Sequence, residues 1–145
     1  MEKIIKTFIN SALNQKIWNS RHKLGSMIAF EVGKEIEEGR GEYHFWLENC
    51  HWWLQQGTGK DFEDIVNSES SQDAIASKIK ILDGKKPLNV QFKTDNSSTI
   101  FDFEDNLFLK IAPYKGETIV EQWYAFTPQV ILTVKSDGTA KVKNA

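Results

Sequence analysis

Residues 41–54, GEYHFWLENCHWWL, hold three of the five tryptophans, two of the three histidines and the only cysteine of the chain. Read as extended backbone, Tyr43, Phe45 and Leu47 share one face. Beyond Glu48-Asn49 the alternating apolar residues are Cys50, Trp52 and Leu54, so the parity flips. A turn or bulge near Asn49 restores a single buried face, because one extra residue re-aims every later side chain. The stretch therefore predicts two strands, or one bent strand, in the middle of a core, with large aromatics dominating its burial.

Chemistry in the same segment is poorly served. His44, Cys50 and His51 are acceptable zinc ligands by type. Six residues of strand nevertheless put His44 and Cys50 on the order of 20 Å apart, and Cys50 and His51 point to opposite faces. A nucleophilic thiol needs an electropositive, accessible setting; Cys50 sits beside Glu48 among tryptophans. A base-stacking platform needs cations nearby, and none lies between Arg40 and Lys60. No metal and no cofactor is expected.

Outward from this segment, most of the 145 residues read as strands. KIWNSRH and SMIAFEV flank a KLG turn, NVQFK and STIFDFE flank TDNS, and Asp105-Asn106 turns the chain into LFLKIA. QWYAF and VILTVK are joined through TPQ, and SDG at 136–138 leads into a last short strand. Two helices complete the pattern. Ile4, Ile5, Phe8, Ile9, Ala12 and Leu13 recur at helical spacing. A second helix begins near Ser70 or Ser71, good N-caps with Asp73 in the first turn. Ala74, Ile75, Ile79 and Leu82 form its apolar face, and Gly84 and Pro87 end it.

The halves look alike. LNQK at 13–16 recurs as LDGK at 82–85, and SMIAFEV is echoed by STIFDFE, with Phe30 set against Phe101. The expectation is one α+β domain over 1–145, mostly antiparallel sheet with two helices. Its pseudo-repeat halves run about 1–69 and 70–145, each an α-β-β-β unit, with all strands in one sheet. The length suits one domain with a core large enough to need no staple. One cysteine, no secretory signal and no 18-residue apolar run place it in the cytoplasm, off the membrane.

The net charge of −2 conceals an asymmetry: residues 1–30 carry +4, residues 31–69 carry −7 and residues 70–145 carry +1. The acidic middle argues against nucleic acid, which asks for a continuous basic stripe. It suits a basic protein partner. The acids cluster in two glycine-rich segments read as loops, GKEIEEGRG at 33–41 and QGTGKDFED at 56–64. GTGKD fails as a phosphate loop, with Leu54 and Asp61 at its key positions. Asp102 and Glu104 read as the solvent face of a strand, and no catalytic constellation is visible, so no enzyme is expected.

GSMIAFEVG, GEYHFWLENCHWWL, NSES before a helix, FDFEDNLFLKIAPY and EQWYAFTP together resemble a family of small uncharacterised bacterial α+β proteins. That family carries a W-x-L-W-x-x-x-C-x-W-like strand pair and a Q-W-x-x-F-T-P-like ending. Tyr43 stands where the family pattern has Trp, and His51 where it has a small acid. By size, charge and compartment the chain is also similar, as a class, to immunity proteins of bacterial toxin systems. That resemblance implies a non-enzymatic protein that neutralises a basic toxin domain through acids. Here those acids are Glu35, Glu37 and Glu38 on one segment and Asp61, Glu63 and Asp64 on the other. The alternative is a small-ligand or scaffold domain with an aromatic pocket around Trp46, Trp52 and Trp123.

Overall fold

The fold is α+β: two helices and two antiparallel sheets, in a computed structural model that describes residues 2–116 and 118–145. Helix α1 spans Glu2–Ile9 and continues as a short 3-10 turn at Asn10–Ala12. Five strands follow: β1 (Ile17–His22), β2 (Ile28–Glu37), β3 (Arg40–Leu47), β4 (Cys50–Thr58) and β5 (Asp61–Asn67). Helix α2 (Gln72–Lys78), extended by a 3-10 turn at Ile79–Leu82, then opens the second half. Its strands are β6 (Pro87–Lys93), β7 (Ser98–Phe103), β8 (Leu107–Pro113), β9 (Glu121–Phe126), β10 (Val130–Lys135) and β11 (Ala140–Asn144).

Ser71 caps α2 as its sequence predicts: the hydroxyl oxygen accepts the Ala74 N–H at 3.2 Å, a contact worth about 1 kcal/mol. Asp73 lies in the first turn and Lys78 in the last, both matched to the helix dipole.

The single sheet expected from the sequence is replaced by two. One has the order β1-β2-β3-β9-β10-β11, the other β5-β4-β8-β7-β6. The parity flip in 41–54 is the reason. Phe45 and Leu47 face inward from β3, the chain crosses at Glu48-Asn49, and Cys50, Trp52 and Leu54 face inward from β4 in the opposite sheet. The α-β-β-β unit is therefore too short a description. Each half lays a three-stranded meander in one sheet, then sends its remaining strands into the other half's sheet.

The likeness of the halves has a local signature. Ile5, Ile9 and Ala12 are buried, and so are Ile75, Ile79 and Leu82, each 70 residues further on. At the junction the halves exchange backbone bonds by the same step: Asn14 N–H to Pro87 O at 2.8 Å, Gly84 N–H to Ile17 O at 2.7 Å. Asn14 (φ 66°) and Gly84 (φ 88°) both adopt the left-handed turn this requires, which glycine and asparagine tolerate best.

The helices do not lie on a sheet face. Helix α1 packs against β6 and β11, and α2 against β5 and β1, so each closes one flank where an edge of one sheet meets an edge of the other. Between the sheets runs one apolar core drawn from both halves. Phe30 stacks on Phe45 at 5.1 Å, and Phe101 meets Trp123 edge-on at 5.5 Å. No described helix covers the outer sheet faces.

Candidate functional site

The two acidic segments are hairpins, not loops. Strand β2 runs through Glu35 and Glu37, and β3 starts at Arg40; β4 reaches Thr58 and β5 starts at Asp61. Bulges between Val32 and Glu37 break the alternation, which is why the sequence pattern hides the strand there. Glu35, Glu37, Glu38, Asp61, Glu63 and Asp64 are all exposed. None of the six forms an ion pair among the described residues. Glu35 accepts the Gly39 N–H at 3.0 Å, and Asp64 accepts from the Gln55 amide. The structure gathers each triad on its own hairpin and assigns the hairpins to different sheets.

Their surroundings differ. On β5, Phe62 packs edge-on against Phe108 at 5.4 Å, and the Lys110 ammonium lies 5.1 Å over the Phe62 ring. Phe62 is still 41% exposed, but a cation of the chain itself already sits over its ring. On the first hairpin, Ile36 is 44% exposed between Glu35 and Glu37. It borders a cleft of about 450 Å³ shared with Phe8, Tyr43, Pro128, Val130 and Glu42.

The three tryptophans set out as a pocket do not form one. Trp52 and Trp123 are 1% and 0% exposed, inside the core, each bonded through its indole N–H: Trp52 to Ser26 O at 2.8 Å, Trp123 to Thr99 Oγ1 at 3.1 Å. Trp46 lies on the outer face of its sheet, with Lys23 Nζ 5.2 Å over its ring. Strand alternation separates it from the other two. Cys50 is fully buried. Burial pushes its thiol up to about 12; a backbone hydrogen bond at Glu48 opposes this and the Glu48 charge adds a smaller upward push, so it is no nucleophile near neutral pH.

One cluster escaped the sequence reading. Glu31, in the middle of β2 on the outer sheet face, is 0% exposed. Its Oε2 accepts from His44 Nδ1 at 2.5 Å and from Arg21 Nη1 at 2.9 Å, and its Oε1 accepts the Gly41 N–H at 3.0 Å. Burial pushes the carboxyl upward, but His44, the Gly41 amide and Arg21 together outweigh it and hold the group below the usual 4.5. The His44 ring rests against Trp46 and Phe126. With rings around the imidazole, this arrangement ties β1, β2 and β3 together and offers a carboxylate no route to a substrate.

No family model, curated protein or solved structure matches the chain. Function therefore rests on the geometry alone. Among the described residues no group of three or more His, Cys, Asp or Glu side chains is placed to hold a metal ion. No described helix is long and apolar enough to cross a membrane.

Proposed function

We propose that this is a non-enzymatic binding protein of the cytoplasm that recognises a basic protein partner through its acidic hairpins, in the manner of an immunity protein neutralising a toxin. The observation that carries the reading is the pair of exposed carboxylate triads, Glu35–Glu37–Glu38 and Asp61–Glu63–Asp64, held on hairpins and paired with no cation among the described residues. Keeping like charges together on a hairpin costs stability, so their natural counterpart is a cationic surface. A partner that is itself a basic, nucleic-acid-cutting domain fits this chemistry, because acids can occupy the groove its substrate would use. The single buried thiol is compatible with a reducing compartment.

The test is capture of the native partner at low and at high salt, followed by stopped-flow association with neutralised variants. Glu35, Glu37 and Glu38 become Gln in one variant; Asp61→Asn, Glu63→Gln and Asp64→Asn make the other. A basic partner released by salt is expected, with an association rate reduced tenfold or more by at least one variant. Unchanged rates in both variants would refute the acidic-hairpin reading.

A further inference from the structure

The stripe of apolar residues on α1 is wider than the core uses. Ile5, Ile9 and Ala12 are buried, whereas Ile4 is 41% exposed and Phe8 is only partly covered. Phe8 meets Tyr43 edge-on at 6.4 Å, and Ser11 bonds the Tyr43 hydroxyl, which fixes the floor of the cleft. Ile36 forms one wall, and Pro128 of the β9–β10 turn and Val130 at the start of β10 form the other. The same apolar surface continues over Phe8 to Ile4 and to Val142, which is 45% exposed on the edge strand β11. A cleft with apolar walls of this kind can seat a single apolar anchor of a partner.

Lys3 borders the surface at its Ile4 end, and acids border it at the hairpin end, where charge decides the occupant. Residues 34–42 carry four acids against Lys34 and Arg40. Arg40 is turned onto the Phe126 ring, its guanidinium 5.8 Å from the centroid. Glu42 lines the cleft itself, accepting the Lys34 N–H at 2.8 Å through one oxygen. An apolar centre with an ionic rim is the usual anatomy of a protein interface. Resting on the acidic-hairpin reading, we propose that this cleft, rather than the β4–β5 hairpin, is the docking surface. Its occupant is a cationic amphipathic segment of the partner. An aliphatic or aromatic anchor seats against Phe8, Ile36 and Val130, and flanking Lys or Arg side chains meet Glu35, Glu37 and Glu38. Lysine and arginine stems also cover apolar surface while their heads reach the acids.

The probe is a synthetic leucine–lysine amphipathic peptide, titrated into the isotope-labelled full-length chain and followed by backbone amide NMR. A leucine–glutamate peptide of the same apolar pattern is the control. The expected result is that the lysine peptide shifts the amides of Phe8, Ile36, Tyr43 and Val130, and that the glutamate peptide does not. Ile36→Ser should weaken binding at least fivefold, and Ile119→Ser, an exposed residue elsewhere, should leave it unchanged. No shift at the cleft up to millimolar peptide, equal binding of both peptides, or indifference to Ile36→Ser would overturn the proposal. Shifts confined to Asp61, Glu63 and Asp64 would overturn the docking site yet leave the acidic-hairpin reading standing. That reading falls separately, on unchanged partner association when both triads are neutralised.

Discussion

The root and the tip of the β2–β3 hairpin carry the same chemistry to opposite ends. At the root, Glu31 is fully buried and has three donors on its two oxygens. At the tip, Glu35, Glu37 and Glu38 are exposed and pair with no cation among the described residues. All but Glu38 lie on one strand, within seven residues of one another. What separates them is the neighbouring strand. Opposite Glu31 stands His44, and the bare backbone of Gly41, three residues earlier on β3 and in register with Glu35, donates its N–H to the same carboxylate. A buried charge persists only where donors replace the water it has lost. An exposed one keeps its water, adds little to stability and stays available to a partner.

The largest effect expected from that difference is at Glu31. Glu31→Gln keeps the shape and removes the charge facing Arg21 and His44. Breaking a buried, hydrogen-bonded pair costs about 3 kcal/mol, which for a chain of this size lowers Tm by roughly 10 °C at pH 7. The pH dependence has a definite sign. A carboxyl held below 4.5 in the folded state contributes stability that is fully present above about 4.5 and is lost as pH falls through the lower folded value. The Tm gap between wild type and Glu31→Gln should therefore be widest near neutrality and close in acid. Calorimetry across pH 3 to 7 measures it, and a gap that is constant with pH would break the assignment.

Gly41→Ala sharpens the comparison from the other strand. An added Cβ would come within 2.9 Å of Val32 O and 3.2 Å of the Glu31 Cβ. Backbone cannot yield as a flexible side chain does, so β3 must shift and lengthen the bond from Gly41 N–H to Glu31. A loss of about 1–3 kcal/mol is expected in urea unfolding. If the cluster is one unit, combining Gly41→Ala with Glu31→Gln will cost less than their sum.

The same contrast explains what could be read in advance. The cap at Ser71, the stop at Gly84 and the turn at Asp105-Asn106 depend on residues close in sequence, and local chemistry is enough to find them. The parity flip at Glu48-Asn49 was equally visible. Its consequence was not, because the pairings that make two sheets, β3 with β9 and β4 with β8, join segments far apart in the chain. Glu31 alternates with Phe30 and Val32, so strand periodicity alone assigns it to the solvent face; only Arg21, His44 and Gly41 arriving from two other strands make it a buried centre. The exposed triads are readable as charge, but their hairpins read as loops because bulges and glycines blur a strand's period. The cleft beside them draws on α1, β2, β3 and the β9–β10 turn. Its one sequence signal was an apolar stripe on α1 broader than a buried helix needs.

The smallest expected effect on stability is at the tip, and it tests the comparison most directly. Converting Glu35, Glu37 and Glu38 to Gln removes three charges, none of them paired with a cation among the described residues. Glutamine can still accept the Gly39 N–H that Glu35 takes. Losses should therefore stay within about 0.5 kcal/mol, the range of ordinary surface substitutions. Relief of repulsion between like charges on neighbouring positions pushes the change toward stabilisation. Urea unfolding at 10 mM and 500 mM salt separates the two contributions: the repulsive part should appear at low salt and vanish at high salt, where the screening length is a few ångströms. A loss as large as that at Glu31, insensitive to salt, would mean that the tip acids help to hold the fold and are not reserved for binding.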